Sequence, residues 1–289
     1  MKKIKNKNAW YWMFLAVCLV SLVIVVFIPL AIGIWYSFTD WTGINNPTFI
    51  GMKNYARLKD DKLFWHSLLF SAKFSAVSVI AVNTVGLALA MLVTRNIKGK
   101  NALRTIFFMP NLIGGLILGF IWQFIFVDIF DSISRFTGIK AFSGWLADPN
   151  TGFWGMVILA VWQMGAYVMV IYIAFIESIP EELLEAAEID GVTPFQRFRH
   201  IIFPLIAPAF TINLFITLSN GFKLFDQNLA LTNGGPGNMT QMVALNIYQT
   251  AFGESMMAYA QIKAVIFLVI VATFSLTQVY INKKREVEL

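Results

Sequence analysis

The chain has one cysteine, Cys18, and only two histidines, His66 and His200, among its 289 residues. One thiol cannot form an intramolecular disulfide, so no disulfide framework holds the fold. Two histidines far apart in sequence supply neither a paired-histidine metal site nor a Ser-His-Asp arrangement. Charge is scarce as well, at 13% of residues against about a quarter in an average soluble domain. A phosphate loop is missing: Lys98-Gly99-Lys100-Asn101 lacks the upstream glycine and the hydroxyl residue that would meet magnesium. The chain itself is therefore not expected to hydrolyse ATP, and no cofactor is expected on it. The formal charge of +6 is spread over several loops instead of one basic patch, which argues against nucleic acid.

What fills the chain is hydrophobic, 58% of residues. A bilayer-spanning helix needs ~20 apolar residues, and six windows of about that length carry no charge. They are Met13 to Tyr36, Phe74 to Val93, Thr105 to Val127, Thr151 to Ile176, Leu205 to Phe222 and Ala264 to Ile281. The pattern predicts an all-α, polytopic membrane protein with six transmembrane helices. The last two windows reach full length only if Lys223 and Lys263 are admitted near their outer ends as snorkelling lysines. The first could be a signal peptide behind Lys2, Lys3, Lys5 and Lys7. Its uncharged run is too long for that, however, and Ser37-Phe38-Thr39-Asp40 offers no small-residue cleavage site, so a retained helix is expected. None of the windows holds a carboxylate of the kind a proton relay needs.

Lys and Arg distribution orients these spans. One side collects Lys2, Lys3, Lys5 and Lys7, then Arg95, Lys98, Lys100 and Arg104, then Arg197 and Arg199, and finally Lys283, Lys284 and Arg285. The other side has Lys53, Arg57, Lys59, Lys62, Arg135 and Lys140. The positive-inside bias predicts a multi-pass cell-membrane protein with both termini in the cytoplasm. Trp10, Tyr11 and Trp12, with Trp35, Tyr36 and Trp41 at the far end, read as interfacial anchors of the first helix.

The most polar interval between two apolar blocks is Ser178 to Pro208. Ser178 with Glu181, and Thr193 with Gln196, fit two capping boxes. Asp190-Gly191 between them suits a left-handed helix end, Pro194 the first position of a second helix, and Pro204 its stop. Leu183, Leu184 and Ala187 form one apolar face, and Phe195, Phe198, Ile201 and Ile202 the next. Such a pair could rest on lipid. Yet Glu181, Glu182, Glu185, Glu188 and Asp190 outnumber Arg197 and Arg199, opposite to what anionic head groups favour. A basic groove on another protein fits better.

The residues Glu185-Ala186-Ala187, Gly191, Ile201 and Pro204, at their spacing, resemble the EAA loop of binding-protein-dependent ABC importer permeases. Phe203 stands where that pattern usually has leucine. Thr48 to Tyr55, Leu103 to Pro110 with Gly119-Phe120-Ile121-Trp122, and Leu231-Thr232-Asn233-Gly234-Gly235-Pro236-Gly237 are similar to further segments of the carbohydrate-uptake branch. Read physically, Pro110 kinks a helix near its inner end and the Gly-Gly-Pro-Gly run is a turn. The resemblance implies a type I ABC importer permease core in residues 66–289, containing the coupling loop 178–208, with residues 1–65 as tail, first helix and external loop. It implies that Glu185, Ala186, Ala187, Asp190, Gly191 and Pro204 dock on the ATPase. The implied partners are a second homologous permease, two ATP-binding subunits that hold the ATP, and an external solute-binding protein.

Within the apolar blocks lie Asn83, Asn111, Gln123, Trp162, Gln163, Tyr167, Asn213 and Asn220. Most suit interhelical hydrogen bonds, but amides and aromatic faces also suit a sugar. The family places its path between the fourth and fifth helices, which makes Gln163, Tyr167, Asn220 and Lys223 the candidates for a sugar-like solute. A self-sufficient carrier or channel is the alternative.

Overall fold

The computed structural model describes residues 7–95 and 97–283, and the elements among them are helical. Five helices are long and apolar enough to cross a membrane: α1 (Tyr11–Tyr36), α3 (Lys62–Val93), α5 (Gly115–Thr137), α6 (Pro149–Ile176) and the length of α12 (Met257–Lys283). A sixth crossing exists if the bent pair α8 (Pro194–Leu205) and α9 (Ala207–Phe222) counts as one. Short helices fill the gaps: α2 (Lys53–Lys59), α4 (Lys100–Phe108), α7 (Glu181–Ile189), α10 (Asp226–Leu231) and α11 (Val243–Tyr248).

The chain divides into two compact units. In the first, residues 1–61 with 247–266, the segment after α1 is held by Asn54, whose amide donates to the Ser37 and Thr39 carbonyls at 2.9 and 2.8 Å. The Trp41 carbonyl accepts from the Ala258 N–H at 2.8 Å. Here one expectation fails. Lys263 does not snorkel; its side chain is 4% exposed and its Nζ lies 2.9 Å from Asp61 Oδ2. It also donates to Thr250 Oγ1 at 2.9 Å, and the Tyr259 hydroxyl donates to the same Asp61 oxygen at 2.8 Å. A lysine in this apolar setting is retained because its charge is matched.

The second unit is residues 62–246 with 267–289. α3 packs on α6 and α9, and α10 packs on α5. Its apolar core includes Phe74, Leu118, Phe126, Met156 and Leu159 toward one end, and Val82, Val168, Met169, Tyr172 and Ile206 toward the other. Beside the second cluster the Asn83 amide donates to Thr217 Oγ1 at 3.0 Å and accepts from the Tyr172 hydroxyl at 2.9 Å. Asn213 donates to the Val168 carbonyl at 3.4 Å. Asn83 and Asn213 thus tie helices together, as neutral amides in lipid do.

Charge bounds misjudged two spans. α3 starts at Lys62, not Phe74, because Lys73 is accommodated with its ammonium 4.8 Å from the Phe153 ring centre. The window from Thr105 to Val127 is not one helix. α4 ends at Phe108, a 3-10 turn runs over Met109–Leu112, and Ile113 is extended before α5 begins. Pro110, lacking an N–H, starts that break.

The bend between α8 and α9 measures 71°. Pro204 does not stop the helix, which continues through Leu205. The break falls at Ile206, just before Ala207-Pro208, where Pro208 in the first turn of α9 cannot donate to the Pro204 carbonyl. Pro204 has a different effect: a π-turn over Phe198–Ile202 precedes it, as one over Val23–Phe27 precedes Pro29. Each marks the lost backbone donor.

Candidate functional site

α9 has 16 residues, about 24 Å at 1.5 Å per residue, so it falls short of a full crossing. It ends at Lys223 and the chain turns through Leu224 and Phe225 into α10. α10 then lies against α5 where Gly115 and Gly119 leave room. A β-carbon on Gly115 would stand 3.0 Å from Asp226 Cβ, and one on Gly119 2.5 Å from Ala230 Cβ. This small-xxx-small face is what lets a second backbone approach so closely.

The turn opens a cavity of about 320 Å³ lined by Asn111, Gln163, Asn220, Lys223, Asp226 and Gln227, with Met164, Leu224 and Phe225. Gln163 fixes its wall twice: its amide donates to the Ile113 carbonyl at 3.1 Å, and its Oε1 accepts from Gln227 at 2.8 Å. Gln163 lies near the midpoint of α6, a helix of 28 residues. The cavity is therefore at mid-span level. Lys223 does not mark the outer end of a spanning helix, as a continuous window would have it; it is exposed to this cavity halfway along.

Three of the four residues expected on the solute path, Gln163, Asn220 and Lys223, are thus brought together. Tyr167, one turn beyond Gln163 on α6, is 39% exposed but outside the lining. Asn111 is among the polar groups of the apolar blocks, whereas Asp226 and Gln227 lie outside those blocks. Their signals were a fifth window too short to span and the Gly115-x-x-x-Gly119 face that receives α10.

At the other end of this unit, α7 and α8 form a capped pair. The Thr193 and Gln196 capping box is present, the Gln196 N–H donating to Thr193 Oγ1 at 3.3 Å and the Thr193 N–H to Gln196 Oε1 at 2.8 Å. The Ser178 box is not. Pro180 is the N-cap of α7, and the Ser178 hydroxyl donates back to the Phe175 carbonyl at 2.8 Å. A helix starting at Ile179 would put a helical residue directly before Pro180.

Gly191, at φ +66°, ends α7. The Val192 N–H reaches the Ala187 carbonyl at 3.2 Å and the Gly191 N–H the Glu188 carbonyl at 3.1 Å, which is a Schellman closure. Arg197 then bridges to Glu188 at 2.8 Å, linking α8 to α7. Of the apolar residues, Ala187 and Ile202 are buried and Leu184, Phe198 and Ile201 half-buried. Leu183, Ile189 and Phe195 face out, at 42%, 87% and 67% exposure. Glu185, Ala186, Asp190 and Gly191 are exposed, and Pro204 is half-buried. Behind the pair, Arg104 pairs with Glu177 and donates to the Val93 carbonyl at 3.2 Å, fastening α4 to the ends of α6 and α3.

The chain is 61% identical over 99% of its length, and 98% of the relative's, to the "Probable starch degradation products transport system permease protein" of Thermoanaerobacterium thermosulfurigenes. It is 32% identical, with 99% of each chain covered, to the "Multiple sugar-binding transport system permease protein" of Streptococcus mutans. In three dimensions it matches a chain of the crystal structure of a bacterial ABC transporter involved in the import of the acidic polysaccharide alginate, with a TM-score of 0.82, 20% identity and 98% of each chain covered. The model of the binding-protein-dependent transport system inner membrane component family matches residues 82–287, and the chain belongs to that family.

Proposed function

We propose that this permease subunit carries a sugar or a related small polar solute inward as part of an ABC importer, its own contribution to the path being the amide-lined cavity at the end of α9. The observation that carries the reading is that cavity: Asn111, Gln163, Asn220 and Gln227 present neutral donors and acceptors at mid-span, where a hydroxyl-rich solute exchanges hydrogen bonds with water for hydrogen bonds with amides. The starch-product and multiple-sugar transport named for the two relatives supports the same class.

The chain supplies one half of the pathway and pairs with a second, related permease. A solute-binding protein delivers from outside, and two ATP-binding subunits dock inside on α7 and α8. Glu185, Ala186, Ala187, Asp190, Gly191 and Pro204 shape that docking surface, and ATP-driven closure of the partners swings the cavity between the two sides.

The test is uptake of radiolabelled maltotriose by proteoliposomes holding the complete transporter. ATP-dependent uptake is expected, and Asn220→Ala should lower it at least severalfold with assembly intact. Uptake driven by an ion gradient without the ATP-binding subunits would favour a self-sufficient carrier instead. Absence of ATP-dependent uptake for every neutral sugar offered would overturn the sugar reading.

A further inference from the structure

The cavity holds two opposite charges that do not satisfy each other. Lys223 and Asp226 both line it and both are exposed to it, yet neither side chain has an ion-pair or hydrogen-bond partner among the described residues. Lys263 and Asp61 show the contrary habit of this chain, where a buried lysine and carboxylate are in direct contact at 2.9 Å.

Charged side chains at mid-span are costly and persist where a water-filled path or a solute receives them. Helix ends favour these signs, since Lys223 closes α9 and Asp226 opens α10. A helix-end preference, however, would be met by side chains turned in any direction, and it does not gather four amides around the pair.

We propose that Asp226 is a charge filter that keeps anionic sugars out of this cavity, with Lys223 balancing it so that the cavity as a whole is neutral. The inference rests on the sugar reading and specifies its class: an uncharged, hydroxyl-rich solute. A monoanion would find Lys223 but also face the Asp226 carboxylate, and such like-charge juxtaposition discriminates strongly. Hydroxyl groups meet no such conflict, because they donate to Asp226 and accept from Lys223 at once. A volume of about 320 Å³ is at the low end for a ligand pocket, ~300 to 1,000 Å³, so the filter inspects one or two sugar rings at a time. Gly115 leaves room for the filter, since a β-carbon there would stand 3.0 Å from Asp226 Cβ and crowd it.

The binding protein imposes its own selection, so the test is made on the assembled permease and ATP-binding complex without it. Saturation-transfer NMR is recorded with two probes of equal length, maltotriose and trigalacturonate. The wild-type complex is expected to give signal with maltotriose and little with trigalacturonate. Asp226→Asn should raise the trigalacturonate-to-maltotriose ratio about tenfold or more, while Lys223→Gln should leave the acid excluded. Complex yield and thermal melting confirm that each variant assembles. Equal binding of both probes to the wild type, or an unchanged ratio in Asp226→Asn, overturns the filter. Neither result touches the broader reading, which fails separately if the complete transporter takes up no neutral sugar.

Discussion

Lys263 shows how a single residue changes meaning between sequence and structure. In sequence it interrupts an apolar window; in the fold its ammonium contacts Asp61 and Thr250 and lies 4.8 Å from the centre of the Tyr259 ring. Removing one member of such a pair strands the other, so Lys263→Met should cost about 3–5 kcal/mol. Replacing both, in Lys263→Met with Asp61→Leu, should recover a good part of that loss. Thermal unfolding of the purified protein in detergent measures it. A midpoint for Lys263→Met equal to wild type would show that the pair contributes nothing to stability. Lys223 differs, because its side chain lines the cavity and has no ion-pair partner among the described residues. Sequence alone could not separate the two lysines, since each flanks an uncharged run, Lys223 after one and Lys263 before the other, and only the turn at Leu224 and Phe225 distinguishes them.

Elements were legible in proportion to their length. α6 and the far part of α12 lie in long uncharged runs and read directly, because burial in lipid demands continuous apolar sequence. The second capping box and Gly191 were equally legible, since each rests on local chemistry three or four residues long. α10 was not, for six residues beginning Asp226-Gln227 have no period to detect. The position of the bend after α8 was missed by two residues because two prolines compete there. If Pro208 sets the bend, Pro208→Ala should straighten it and Pro204→Ala should leave it while relaxing the π-turn at Phe198–Ile202. Spin labels at the exposed positions Phe195 and Phe215 report the change, as straightening from 71° lengthens the distance between them. A longer distance in the Pro204 variant, with none in the Pro208 variant, would reverse the assignment.

At the scale of the whole molecule, the positive-charge bias predicts that α7 and α8 lie on the cytoplasmic side with both termini. A cysteine at Glu188 in a Cys18→Ser background should therefore resist an impermeant thiol reagent applied to intact cells, and labelling there would invert the topology. From that orientation follows the link between the helix pair and energy supply. Gly191 has open space where its β-carbon would be, with nothing within 4 Å, so the harm in Gly191→Val comes from backbone strain at φ +66°, ~1 kcal/mol or more. Relieving that strain undoes the Schellman closure and re-aims α7 against α8. Glu185 is exposed beside outward-facing Leu183, Ile189 and Phe195, and Glu185→Lys reverses charge there without touching the spans. Both variants should reach the membrane at normal levels, lose co-purifying ATP-binding subunit, and show reduced transport-coupled ATP hydrolysis. The glycine variant should lose coupling more than assembly, because the contact residues remain while their angle is wrong; the glutamate variant should lose assembly first. Normal co-purification and normal coupled hydrolysis in both would remove α7 and α8 as the docking element.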